Sequence, residues 1–277
     1  MLSVGGAVVW MEGPAAGVAA PPGNRDDEEP MKIGGLTLGS IPRVVGTVCR
    51  RETLRGLTSR NSVPCDAVEI RLDRIRPRND EWLAWCRAIE KNLCPAIVTV
   101  RLAAEGGEWK DADAGRESLF AAALEWTSAV DIEFRSPLRH GILAAAKAQR
   151  KLVILSHHDF EGTPPLATLE RLVNDMLGSQ AVIAKVATMI QSESDVRILA
   201  ELVLRTQPGR LCVMGMGPLG AGTRVLFPCL GSVLTYGYLD DAGAPGQMDC
   251  GSLVELLRRL HPGFARQFAA RREASPP

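Results

Sequence analysis

The sequence carries no net charge: 32 Lys and Arg residues are balanced by 32 Asp and Glu over 277 residues. That balance gives no global attraction to nucleic acid or to an anionic membrane surface, although a local basic pocket for a small anion stays open. No apolar run approaches the ~18 residues of a membrane-spanning helix. No Cys-x-x-Cys occurs among the seven cysteines, Cys49, Cys65, Cys86, Cys94, Cys212, Cys229 and Cys250. Their odd number and wide spacing argue against a disulfide framework and against a zinc ribbon. Several sit in apolar runs, where a free thiol behaves as a small hydrophobe. A reducing, cytoplasmic compartment is expected. Histidine is scarce, with four residues in all.

The first 30 residues lack a basic segment ahead of their apolar stretch, and Glu12 interrupts that stretch early. They therefore do not read as a signal peptide. They are rich in Gly, Pro and Ala and end in an acidic run, which is the composition of disorder. The expectation is a disordered extension over 1–30 and one catalytic domain over 31–277. Met31 opens the more regular pattern and is a candidate start of translation.

From Met31 onward, short apolar runs alternate with segments of helical period. Strands are expected at 44–49, 67–72, 96–102, 129–134, 152–157, 181–187, 211–216 and, more weakly, 233–238. Helices are expected near 51–60, 79–92, 114–127, 137–149, 166–178, 192–206, 222–230 and 250–260, with Asn79 as an N-cap. Such alternation implies a parallel sheet covered by helices. Eight rounds fit a closed (β/α)8 TIM barrel, which takes roughly 250 residues. A doubly wound sheet would place a glycine-rich loop after its first strand. Here that strand runs into Cys49-Arg50-Arg51-Glu52.

Several strands end in charge. Glu69, Arg71 and Asp73 alternate and share one face, as do Asp131 and Glu133. Arg101 ends another strand. Ser156-His157-His158-Asp159 ends the fifth, and Lys185 stands alone in the apolar sixth. In a barrel, the C-terminal ends of the strands carry the active site. Each of these residues also has a plainer reading. Glu69 and Arg71 could fill the barrel as an ion pair, and either histidine could be a satisfied structural one. His-His-Asp could ligate a metal, yet no second His or Cys cluster completes a shell. Lys185 could reach a carboxylate. Otherwise a buried amine is costly in its charged form, and the neutral amine is the nucleophile that a carbonyl requires. After the seventh strand, a glycine-rich loop leads to Arg224, a candidate anion site at a helix start. Ala244-Pro245-Gly246-Gln247 follows the eighth strand.

Taken in order, these segments resemble the type I 3-dehydroquinate dehydratase family over about 31–247. The pieces are Glu69-Ile70-Arg71, Arg101 followed by Glu105-Gly106-Gly107, Asp131-Ile132-Glu133, Ser156-His157-His158-Asp159-Phe160, Lys185, the loop from Met214 to Arg224, and Pro245-Gly246-Gln247. The resemblance implies a lyase of the shikimate pathway that converts 3-dehydroquinate to 3-dehydroshikimate without metal or cofactor. It implies that Lys185 forms an imine with the C3 ketone and that His158, not His157, moves protons. Glu105 and Asp131 would then tune that imidazole. Glu69, Arg71 and Arg101 would hold ring hydroxyls, and Arg224 and Gln247 the carboxylate. The implied partner is the small-molecule substrate, with neither nucleic acid nor membrane, and a homodimer is left open. Two positions depart from the family pattern: Gly243 stands for a serine and Tyr236 for a phenylalanine. Two other readings stay open, an aldolase-type Schiff-base barrel acting on a sugar phosphate and an inactive barrel kept as a binding module.

Overall fold

The structure is a computed structural model, and it describes residues 31–178 and 182–274. The expected disordered extension lies outside the described residues, as does Ala181, the expected first residue of the sixth strand.

Ten strands and ten α-helices are described. The strands are β1 (Lys32–Ile33), β2 (Leu36–Thr37), β3 (Arg43–Val48), β4 (Ala67–Arg71), β5 (Ala96–Thr99), β6 (Ala129–Glu133), β7 (Leu152–Asp159), β8 (Val182–Met189), β9 (Leu211–Met216) and β10 (Leu234–Tyr238). The helices are α1 (Arg51–Leu57), α2 (Leu72–Ile75), α3 (Glu81–Asn92), α4 (Asp113–Trp126), α5 (Arg139–Ala148), α6 (Leu166–Leu177), α7 (Glu193–Arg205), α8 (Thr223–Leu230), α9 (Cys250–Leu260) and α10 (Pro262–Ala274). Strands β3 to β10 form one parallel sheet in the order β10-β3-β4-β5-β6-β7-β8-β9. Neighbours in that sheet are neighbours in sequence, and the last strand pairs with the first. That is the topology of a (β/α)8 barrel rather than of a doubly wound sheet.

The join between β9 and β10 has no ladder. One backbone bond crosses it, from Val233 N–H to Leu211 O (2.9 Å). Side chains supply the rest. The Ser232 hydroxyl accepts Val213 N–H (3.0 Å) and donates to Leu234 O (3.1 Å), and the Cys212 thiol donates to Leu234 O (3.3 Å).

The period of two along each strand separates two cores. Outward residues such as Val68, Ile70, Val98, Val130, Leu155 and Val213 pack under the helices, against Trp82, Phe120, Leu169, Leu199 and Phe227. Inward residues Val45, Ala67, Ile97, Ala129, Ile154, Ile183 and Cys212 fill the barrel from below, and Ile33 and Leu38 of the β1–β2 hairpin segment close that end. This plug was not expected from the sequence. Its strands are two residues long, too short for alternation to be read.

Three local expectations are corrected. Strand β5 stops at Thr99, because the chain turns into a short 3-10 segment at Ala103–Glu105. Asp80, not Asn79, takes the N-cap position of α3, and its side chain makes no capping bond. Helix α10 extends past the last expected helix and buries Phe264 against α9. All seven cysteines are free.

Candidate active site

Lys185 sits midway along β8, where the pleat turns its side chain inward, and is 4% exposed. It is not alone. Nζ donates to Asp131 Oδ2 (2.8 Å), stands 3.7 Å from Glu69 Oε1, and lies 4.1 Å from the centroid of the Tyr236 ring. The expected lone lysine is thus an ion-paired one. Glu69 is itself fixed by the hydroxyls of Thr47 (3.0 Å) and Thr99 (2.8 Å) from the strands on either side of it.

Asp131 is the hub of this cluster. Its other oxygen accepts from Arg101 Nη2 (2.5 Å) and from the Ser156 hydroxyl (2.6 Å). Burial alone would raise its carboxyl, but Arg101 and then Lys185 hold it well below the usual range. Arg101 is aimed by Ser156 and by Glu133 Oε1 (3.2 Å), and Glu133 is anchored in turn by Arg116 of α4 and by Leu102 N–H. Buried charges of this kind hold only when each is paired.

His158, one residue past His157 on β7, points into the barrel. Its Nδ1 lies 3.1 Å from Glu105 Oε2, and the same oxygen accepts the His158 backbone N–H (3.0 Å). Burial, then Arg101 and Lys185, push the imidazole well below its usual value, so the ring is neutral near pH 7. With Nδ1 donating to an ionised Glu105, Nε2 keeps a free lone pair. Burial pushes the Glu105 carboxyl up to about 7 against the pull of Arg101. Glu105 owes its place to a glycine. Gly106 adopts φ +77°, and a Cβ there would come within 2.1 Å of the Phe160 ring. The turn therefore packs its bare backbone against Phe160.

At the far side, Arg224 is buried at the start of α8. It has no carboxylate partner among the described residues and donates to Gly246 O (3.1 Å) and Tyr236 O (3.2 Å). Burial lowers its guanidinium to about 10. A buried cation of this kind calls for an anion. The loops after β9 and β10 meet beside it. Gly217 N–H donates to Pro245 O (3.2 Å), and Gly246, at φ +75°, would put a Cβ 2.3 Å from Gly217 O. Gln247 accepts from Gly243 N–H (2.5 Å) and donates to Thr47 (3.2 Å).

One cavity at the C-terminal end of the strands, with a volume of about 60 Å³, joins these groups. Glu69, Arg71, Arg101, Glu105, His158, Lys185, Arg224, Tyr236 and Gln247 all line it. Among the described residues, no group of three or more His, Cys, Asp or Glu is placed to hold a metal ion. No described helix is long and apolar enough to cross a membrane.

A model of the family described as Type I 3-dehydroquinase matches residues 46–263. The chain belongs to that family. Two curated relatives, both named 3-dehydroquinate dehydratase, are those of Methanococcoides burtonii and Methanosarcina acetivorans. The first is 33% identical over 83% of this chain and 99% of its own length. The second is 36% identical over the same shares. A crystal structure of the type I enzyme from Clostridium difficile shares the fold, with TM-score 0.76 and 23% identity over 85% of this chain and 99% of that one. Family membership makes the chain a hydro-lyase.

Against the residues expected for a type I 3-dehydroquinase, the structure brings eight of nine to the cavity wall: Lys185, His158, Glu105, Glu69, Arg71, Arg101, Arg224 and Gln247. Asp131 lies just beneath them and touches Lys185. Its hydrogen bonds go to Arg101, Ser156 and Lys185, while Glu105 makes the hydrogen bond to the imidazole and Asp131 acts on that ring through its charge. His157 faces the other way, and its Nδ1 is buried without a hydrogen-bond partner among the described residues. Residues not singled out for the site include Thr47, Thr99 and Arg116, which hold Glu69 and Glu133. Inward alternation with Val45 and Ile97 marks the two threonines. Arg116 sits on a helix and gave no signal. Asp73 is spent on Arg71, gripping Nε (2.9 Å) and Nη2 (2.8 Å) together.

Proposed function

We propose that the chain dehydrates 3-dehydroquinate to 3-dehydroshikimate through a Schiff base on Lys185. The observation that carries this reading is one cavity holding a buried amine, a neutral imidazole and a carboxylate-free arginine. A ketone that is also a carboxylic acid needs these three groups. Arg224, with Gln247 beside it, takes the carboxylate, and Lys185 attacks the C3 ketone. The carbonyl oxygen leaves as water and a protonated imine forms. That imine draws electrons from C2, so neutral His158 can take the C2 proton and leave an enamine. The enamine expels the C1 hydroxyl, which takes the proton back from His158 and leaves as water. A C1–C2 double bond forms. Water then adds to the imine carbon and releases the product and the amine. Burial of the site strengthens each of these electrostatic steps. Glu69, Arg71 and Arg101 line the same cavity and can take up ring hydroxyls. A sugar-phosphate aldolase would want a phosphate site, and an inactive barrel would not need Lys185 and His158 on one wall.

The test is reductive trapping. Borohydride added with 3-dehydroquinate should leave a stable adduct that peptide mapping places on Lys185. Lys185→Ala should give neither adduct nor turnover. An unmodified Lys185 in an active enzyme overturns the mechanism.

A further inference from the structure

Tyr236 lines the catalytic cavity, and its hydroxyl is buried with no hydrogen-bond partner among the described residues. Buried hydroxyls are almost always partnered, and one left bare at a site calls for a reason. The ring is 3% exposed and its face carries Lys185 Nζ at 4.1 Å. The bare donor and the ring face that carries the reacting nitrogen thus belong to one side chain. Burial, then Cys212, Glu69 and Asp131, push the phenol well above its usual value, so it stays protonated and can donate. Nζ and the hydroxyl make no hydrogen bond to each other. A gap of this kind is the place to look for a bridging oxygen.

We propose that the Tyr236 hydroxyl positions the oxygen that leaves C3 as the Lys185 imine forms and the water that returns when the imine is hydrolysed. The inference rests on the Schiff-base reading above. In the forward step, Nζ bonds to C3 and the carbonyl oxygen, now geminal to Nζ, departs as water after gaining two protons. In the reverse step, water adds to C3, the C–N bond breaks, and the amine and ketone are restored. In both steps the moving oxygen sits on the same carbon as Nζ, which itself rests against the Tyr236 ring. The phenol donates a hydrogen bond and gives up no proton overall. Tyr236 is therefore a positioning residue for hydration and dehydration at C3, separate from the proton transfers at C2.

The test uses the full chain and its Tyr236→Phe variant with 3-dehydroshikimate labelled with ¹⁸O in the ketone. Loss of label to water needs imine formation and hydrolysis only, and no proton transfer at C2. Enzyme-dependent washout should slow roughly three- to tenfold in the variant, the worth of one neutral hydrogen bond. Borohydride should still trap the variant on Lys185, and its melting temperature should hold or rise, because the lost hydroxyl had no partner. Equal washout rates, with adduct formed in both proteins, overturn this proposal alone. Absence of adduct in both overturns the Schiff-base reading and this inference with it. A variant that fails to fold, or melts clearly lower, shows that the hydroxyl serves the structure and also overturns the proposal.

Discussion

Between Ile183 and Lys185, two residues along β8, the inside of the barrel changes from hydrocarbon to ion pairs. Below that level lie Ile33, Ala67, Ile97, Ala129 and Ile154, and above it Glu69, Arg101, Asp131 and Lys185. The strands, the pleat and the inward direction are the same. Only the residue type differs. In the lower half each side chain stabilises by leaving water, and fully burying a Leu or Ile contributes about 1.5–3 kcal/mol. In the upper half desolvation works against every charge, and a buried ion pair is often no better than a hydrophobic pair of similar volume. The upper half is therefore explained by chemistry, and the plugged lower half supplies the stability that holds it.

The sharpest way to break this comparison is His158→Ala. Turnover should fall ~10²–10⁴-fold, the usual worth of general acid/base help, while borohydride still labels Lys185. His157→Ala should be far milder, since that ring faces away from the cavity. If His157 proves the essential residue, the reading of the β7 end is off by one.

Ile97→Ala tests the other half. Denaturant unfolding should show a loss of about 2–5 kcal/mol, with kcat per folded molecule unchanged. Unchanged stability with a fall in kcat would mean that the two halves are not separable.

The pH response sharpens the upper half alone. Glu105 must be ionised to accept from His158 Nδ1, and its carboxyl sits at about 7. The kcat/KM profile should therefore rise as pH passes up through about 7, and Glu105→Gln should remove that limb. Stability runs the other way. A carboxyl raised from 4.5 to about 7 favours the folded state most when protonated. That contribution is full below 4.5 and is lost as pH rises through about 7. Unfolding of the wild type and Glu105→Gln across that range should show their stability difference shifting against the wild type. A constant difference would place the group outside the buried site.

The smallest effect is expected at Gly243. Its φ lies outside the left-handed region, and an added Cβ would sit 3.2 Å from Gln247 Oε1 and 3.5 Å from Arg71 Nη1. Serine fits there with a small adjustment of the Gln247 amide and brings a hydroxyl toward the ring-hydroxyl and carboxylate ligands. One hydrogen bond is worth about 0.5–1.5 kcal/mol, so Gly243→Ser should lower KM roughly three- to tenfold and leave kcat within about twofold. A fall in kcat at constant KM and melting temperature would show that this loop takes part in the chemical step.

Much of this was legible in the chain itself. Eight apolar runs, five of them carrying charge, pointed to the barrel and its working face, because the period of two and the strand-end rule act locally. Lys185, His158 and Arg224 stood out since each is a polar residue at a position the pattern reserves for an apolar one or a tight turn. What could not be read was who pairs with whom. Asp131 was expected to tune His158, and its hydrogen bonds to Lys185, Arg101 and Ser156 could not be foreseen, because register across strands decides the partner and no single strand encodes it. Arg116 reaches Glu133 from a helix and obeys no local period. The hairpin plug was too short to show one.

The bond-poor join between β9 and β10 gives the ring a parting line. Seven strand pairs are zipped by ladders, while the eighth is clasped by Ser232, Cys212, Arg224 and a single amide. Local opening runs through the least-bonded element, so amide exchange from the β10 side should report breathing of this clasp before the other strands loosen. Arg224 belongs to the clasp through Tyr236 O and also faces the cavity. An anion seated on it therefore tightens the ring, and ligand affinity and barrel rigidity become two readings of one equilibrium.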